Sequence, residues 1–263
     1  MDNRIPDVIR PMLQAYLDQL NQQLPDFAQA VYVHGSIALD AFDEQRSDID
    51  TLVVINRRAS EDDIQKLTAI HKSIASQCPR WLLECSYVQA GDPGQPESAI
   101  QPHPIYHDNV LDAAGHFDTS PVTWWLLKNK GIAVLGSNPQ QLPFEADWDA
   151  VVSYMRENIN SYWASFTTQP SRMIRSLSDD GVAWIVLGVL RQYYSFKEKD
   201  ITSKVGAGEY ALKMLPVEWH GLIQDALDIR QGRKPKQYSS RFTRAYAVIR
   251  FVRYIIEVSN GLE

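Results

Sequence analysis

The stretch VYVHGSIALDAFDEQRSDIDTLVVI, residues 31–55, decides how the rest of the chain is read. An apolar run stops at Gly35-Ser36. A polar interval of eleven residues follows, then Asp48-Ile49-Asp50 and a second apolar run. The two runs read as strands over 29–34 and 50–55. Strand side chains alternate between faces, so Asp48 and Asp50 project to the same side. Two carboxylates held together repel, and burying them unpaired is costly, so something positive belongs between them. An all-oxygen ligand set suits Mg²⁺ or Mn²⁺ rather than zinc. Gly35, directly after a strand, lets a phosphate come close to the backbone. The Ser36 hydroxyl and the N–H groups of the following turn can then hold it.

Working outward, Ile5, Val8, Ile9, Met12, Leu13, Tyr16, Leu17 and Leu20 recur at helical spacing and predict a helix over 5–22. Ser60 with Asp63 three residues on predicts a capping box opening a helix over 61–76. Residues 81–88, WLLECSYV, read as a third strand. On it Leu82, Glu84 and Ser86 share one face, and Leu83 and Cys85 the other. Glu84 is a lone carboxylate on an apolar strand and needs a partner. If this strand lies beside the strand of Asp50, Glu84 joins the acidic cluster. The segment 91–104 carries four prolines and two glycines and reads as a loop, and Tyr106 and His107 are placed in a loop as well. A helix over 121–131 and a strand over 132–136 follow. From about residue 150 only helical periodicity remains, over 149–165, 180–196, 207–214, 217–230 and 239–258.

The expected fold is therefore an α+β domain over 1–149, a mixed sheet flanked by helices, followed by an all-α helical bundle over 150–263. A cleft between two domains is a common ligand site. The chain has 263 residues, with 44% apolar and 22% charged, an ordinary soluble balance. No apolar run is long enough to cross a bilayer, and the N-terminus reads as no secretory signal, so neither a membrane nor export is expected. Two cysteines, without zinc-ligand spacing, fit a reducing cytoplasm. A net charge of −6 argues against nucleic-acid binding through phosphate neutralisation and suits a cationic partner. Nothing demands an oligomer.

Gly-Ser, the interval, and Asp-x-Asp leading into an apolar strand resemble the signature of the nucleotidyltransferase superfamily. Within it the chain most resembles the aminoglycoside 3''/9-adenylyltransferases, which modify streptomycin and spectinomycin. The resemblance rests on HGS (34–36) with SDIDTLVV (47–54), LLECSYV (82–88), LKNKGIAVLGSNP (127–139), VLGVLRQYYS (186–195) and ITSKVGAGEYALKMLP (201–216). It implies transfer of AMP from ATP to an antibiotic hydroxyl, with two Mg²⁺ ions on the triphosphate. Asp48 and Asp50 would hold the metal, with Glu84 as a third metal-site acid and as the general base. Gly35, Ser36, Asp48, Asp50, Arg191 and Lys204 would bind ATP. Glu84, Tyr106, His107, Asp179 and Asp180 would face the antibiotic.

Each assignment stands beside a plainer reading. Arg191 could lay its stem along its own helix, and Lys204 could be a solvated charge. Asp179 and Asp180 are ordinary residues for a helix N-terminus, and Trp124 and Trp125 read as core. Relatives that accept streptomycin carry a tryptophan and an aspartate in the loop before the helix of Arg191. Here that stretch is TTQPSRMIRSLSDDG, residues 167–181, with no tryptophan and two arginines. The departure puts spectinomycin ahead of streptomycin. Two other functions remain open: a nucleotidyltransferase acting on a protein or another small molecule, and a nucleotide-binding module without catalysis.

Overall fold

The alternating apolar runs assemble a six-stranded sheet with a single parallel pair at its centre. In the computed structural model, which describes residues 1–262, the first unit spans Met1–Asp147 and the second Trp148–Glu263. The first unit runs α1 (Arg10–Gln23), β1 (Ala28–Val33), α2 (Gly35–Ala38), β2 (Ile49–Ile55), α3 (Glu61–Gln77), β3 (Leu83–Gln89), β4 (His103–His107), β5 (Val110–Gly115), α4 (Pro121–Lys130) and β6 (Ile132–Leu135). The strand order is β5-β4-β3-β2-β1-β6. Only β2 and β3, joined through α3, run parallel; every other neighbouring pair is antiparallel.

The two faces of the sheet divide the core. One face packs Val31, Val33, Ile49, Val53, Cys85, Tyr87 and Tyr106 against apolar residues of α1 and α3. The other packs Tyr32, Leu52, Val54 and Val88 against Trp124 and Leu127 of α4. Asp50 and Glu84 belong to this second face by their parity along the strands.

Three expectations change. The first helix begins at Arg10 rather than at residue 5. Ile5 and Ile9 are buried as expected, but Pro6 and Pro11 interrupt and reset the backbone at its start, leaving only turns before Arg10. The expected loop over 91–104 gives way to a strand only at His103, and the loop placement of Tyr106 and His107 is replaced by the β4–β5 hairpin. Asp108 and Asn109, at φ 49 and 62, form its two-residue turn. Positive φ at both central residues is what a tight hairpin requires, and Asp and Asn tolerate it. In the second unit, the expected continuous helix over 149–165 passes from α5 (Trp148–Asn158) into a π-turn at Ile159–Trp163. The Ser60–Asp63 capping box forms as read, and Arg57 adds a bidentate pair to the Asp63 carboxylate.

Behind the sheet lies a buried polar chain. The Tyr16 and Tyr87 hydroxyls meet at 2.7 Å, and His71 Nε2 lies 2.6 Å from the Tyr87 hydroxyl. The His71 ring stacks on Tyr106 at 3.8 Å. Burial pushes the His71 pKa down to about 3, so the folded protein keeps this imidazole neutral. The unfolded chain takes up a proton below about pH 6.5 that the fold refuses. Its contribution to stability is therefore complete above that pH and is lost as pH falls toward 3. We expect wild-type unfolding free energy to carry an extra slope of about 1.4 kcal/mol per pH unit between pH 6 and 4. In His71→Gln that slope should vanish; denaturant midpoints across the range check this, and an unchanged slope would remove His71 from the acid sensitivity.

The second unit continues with α6 (Pro170–Met173), α7 (Asp179–Glu198), α8 (Lys204–Met214), α9 (His220–Arg230) and α10 (Arg241–Asn260). The central helix is α7, buried along most of its length and packed by α8, α9 and α10. A Cβ at Gly188 would sit 2.2 Å from the Trp163 ring, so glycine there admits the indole against α7. Ser203 caps α8, which starts three residues earlier than the periodicity predicts. Gly206 and Gly208 weaken its helical signal. Among the described residues no helix is long and apolar enough to cross a membrane.

Candidate active site

The site forms where β1 ends and β2 begins. His34 N–H donates to the Asp50 carbonyl at 3.1 Å, carrying the β1–β2 ladder one residue beyond Val33. Gly35 then turns the chain with φ +57, and a Cβ there would lie only 1.8 Å from Asp50 Oδ2. The Asp50 carboxylate thus occupies the space a side chain at residue 35 would fill. Ser36 follows, with a buried hydroxyl that meets no hydrogen-bond partner among the described residues. A buried polar group left unpaired is costly, which suits a hydroxyl kept for a ligand.

The parallel register sets Asp50 directly beside Glu84. Asp48 stands just before β2 and is exposed, Asp50 is half-buried, and Glu84 is 6% exposed. The Glu84 pKa is pushed up to about 7, first by burial and further by the charges of Asp50 and Asp48, while His107 pulls the other way. A carboxyl with that proton affinity is matched to accepting a proton near neutral pH. His107 lies at the end of β4, its Nδ1 2.7 Å from Glu84 Oε1 but out of line for a good ring N–H hydrogen bond. Its ring packs on Phe117 at 4.2 Å, and its Nε2 is 3.4 Å from Asp108.

Sequence reading passed over three contributors. His34, 3% exposed, brings Nε2 to 3.2 Å from Asp118 Oδ2. Asp118, at φ +56, also accepts from the Thr123 hydroxyl at 2.7 Å. Ser86, two residues beyond Glu84 on the same face, donates to the Phe117 carbonyl at 2.7 Å. The loop after β5 is thereby tied both to the glycine turn and to the strand of Glu84. A histidine directly before Gly-Ser was the one available signal; nothing in the local sequence marks Phe117.

The other predicted residues separate into two groups. Tyr106 pairs with Cys85 rather than Glu84, so its ring points through the opposite face and stacks on His71 in the core. The structure does not bring it to the carboxylates, while its neighbour His107 is brought there. Within the helical unit, Arg191 Nε donates to the Thr202 carbonyl at 3.1 Å, which holds it beside the start of α8, where Lys204 is the first residue. Asp179 pairs with Arg244, and Asp180 is exposed in the first turn of α7.

The donor set is dominated by carboxylate oxygens: Asp48, Asp50 and Glu84 on adjoining strand ends. Ligand atoms of Glu84, His107 and Asp108 also lie within 4.8 Å of one another. Carboxylate oxygens on paired strands, one of them buried, are the donor type that suits a hard divalent cation such as Mg²⁺. The glycine at 35 keeps the space in front of Asp50 clear of any side chain of its own.

Residues 13–104 match the family model of the nucleotidyltransferase domain, and residues 158–257 that of the aminoglycoside adenylyltransferase C-terminal domain. No curated protein matches the chain. Among solved structures, spectinomycin adenyltransferase AAD(9) from Enterococcus faecialis, crystallised with ATP and spectinomycin, superposes with a TM-score of 0.73. The match is at 13% identity and covers 94% of this chain and 98% of that one. A nucleotidyltransferase domain followed by the C-terminal domain of the aminoglycoside adenylyltransferases makes the chain an adenylyltransferase of that family, in the nucleotidyltransferase superfamily.

Proposed function

We propose that the enzyme transfers AMP from ATP to a hydroxyl of an aminocyclitol antibiotic, with spectinomycin as the favoured substrate, and that it needs Mg²⁺. The observation that carries the reading is the pairing of Asp50 with Glu84 in register, with Gly35 left bare against the Asp50 carboxylate. Asp48 and Asp50 would hold the metal, with Glu84 completing the acidic set. Bound there, Mg²⁺ supplies Lewis-acid neutralisation of charge on the triphosphate.

The chain's own residues do the rest. The unpartnered Ser36 hydroxyl and the backbone at Gly35 receive phosphate oxygens. Glu84, held from one side by His107, takes the proton from the attacking hydroxyl. Arg191 and Lys204, which the turn before α8 brings near each other, are assigned to the triphosphate on the family resemblance. Asp179 and Asp180 offer negative charge to a cationic drug. Asp179 also pairs with Arg244. Positioning and electrostatics carry most of the rate. Two free thiols fit a cytoplasmic setting.

The test is pyrophosphate release from Mg·ATP with spectinomycin, streptomycin and a 2-deoxystreptamine drug in parallel. Release with spectinomycin alone is the expected result. Release with streptomycin too keeps the reaction and discards the specificity argument from residues 167–181. Mg·ATP binding without release on any drug would turn the assignment to a different acceptor.

A further inference from the structure

We propose that Thr51 is a positioning residue for Glu84, acting from the back of the sheet. The proposal rests on the reading of Glu84 as the general base. Thr51 is 2% exposed and pairs with Cys85, one step along from the Asp50–Glu84 pair. Alternation therefore puts its side chain on the face opposite the carboxylates, among Ile49, Val53 and Cys85. On such a face valine would fill the same space without a polar group to satisfy, and an unbonded hydroxyl would be costly. The hydroxyl is bonded, and its acceptor is informative: Thr51 Oγ1 donates to the backbone carbonyl of Glu84 at 2.7 Å.

That carbonyl belongs to the residue whose side chain stands at the site. Fixing the peptide plane after Glu84 fixes the direction in which its Cα–Cβ bond leaves the strand, and with it the aim of the carboxylate. The anchor is itself anchored. Thr51 has one proton and gives it to the carbonyl, so the thiol of Cys85, 2.8 Å away, supplies the proton for the Thr51–Cys85 contact. Cys85 Sγ lies 3.7 Å from the Tyr16 hydroxyl, which meets Tyr87, which in turn meets His71. The chain of polar contacts runs from α3 and α1 through the sheet to the back of the base. A side chain that never touches substrate can in this way govern whether the carboxylate reaches the attacking hydroxyl, and misplacement by about 1 Å can cost up to roughly a hundredfold in rate.

The experiment compares Thr51→Val, Thr51→Ser and Cys85→Ala with wild type and Glu84→Gln, reading kcat and KM for ATP by pyrophosphate release with spectinomycin. Thr51→Val should lower kcat by roughly tenfold with KM for ATP within about twofold. Thr51→Ser, which keeps the donor, should return kcat to within about twofold of wild type. Cys85→Ala disturbs the same core and loosens the anchor of Thr51 but leaves the Thr51–Glu84 bond, so its kcat should fall less than that of Thr51→Val. A purely structural role predicts instead that Thr51→Val and Cys85→Ala lose active protein alike, with kcat per active site unchanged, and that result overturns the proposal. Should Thr51→Val not fold, a Thr51→Ser variant that loses kcat while keeping its thermal midpoint would equally overturn it. Wild-type turnover in Thr51→Val beside a silent Glu84→Gln sinks Thr51 alone. An active Glu84→Gln, or a silent wild type, sinks the reading of Glu84 and this proposal with it.

Discussion

Glu84→Gln should bind Mg·ATP within a few-fold of wild type and release pyrophosphate about a hundredfold to ten-thousandfold more slowly. The substitution keeps the shape of the side chain and its place on β3. On the proposed reading Asp50 and Asp48 would still offer a metal two carboxylates. What would disappear is the proposed acceptor for the proton of the attacking hydroxyl. The same change also relieves a carboxyl whose burial, and then the charges of Asp50 and Asp48, push its pKa up to about 7, so the variant should be no less stable than wild type, with an advantage that sets in above about pH 4.5 and is complete above about pH 7. Loss of turnover with stability and ATP binding intact separates a chemical role from a structural one. Calorimetry of Mg·ATP and pyrophosphate release on one preparation decide it. A variant within tenfold of wild type in kcat would show that Glu84 is not the base.

Why this site could be read before the fold was known follows from the period of a strand. Asp50 and Glu84 each fall on the face of an apolar strand that also carries Leu52 and Val54, or Ser86 and Val88, so each was conspicuous as a carboxylate among core residues. Their pairing was conditional on β2 and β3 being neighbours, which no local pattern could establish. The parallel register supplies it. The hairpin of β4 and β5 was missed for a different reason. Its strands are short and carry His103, Pro104, His107 and Asp112, so no apolar alternation stands out, and the prolines before it weigh toward a loop. The Asp108-Asn109 pair was the readable signal, because both residues tolerate the positive φ of a tight turn. Missing that turn also hid the parity that sends His107 to Glu84 and Tyr106 into the core. His34 and Asp118, 84 positions apart in the sequence, meet only because the loop after β5 folds back, a long-range contact that periodicity does not encode.

Gly35→Ala should be the most damaging single substitution in the first unit. Two costs combine. Alanine at φ +57 pays roughly 1–2 kcal/mol for the left-handed backbone. Its Cβ would also lie 1.8 Å from Asp50 Oδ2 and 2.6 Å from Asp50 Cγ, well inside contact distance. Asp50 cannot swing away freely, because its own carbonyl accepts from His34 N–H and its strand is buried on both sides. Either β1 and β2 part at this end or the carboxylate leaves its position, and both outcomes would take it out of the proposed metal site. Mg·ATP affinity should fall at least about tenfold, and stability by about 3 kcal/mol, within the range of overpacking added to backbone strain. A double-mutant cycle separates the two costs. In an Asp50→Ala background the carboxylate is gone and only Cβ–Cβ crowding at 3.1 Å remains. There Gly35→Ala should cost about 1–2 kcal/mol, leaving a coupling of roughly 1–2 kcal/mol between the positions. Equal costs in both backgrounds would mean that glycine is required at 35 for the turn alone. A measurable coupling would mean that the bare α-carbon is there to let the Asp50 carboxylate stand where a metal triphosphate can reach it.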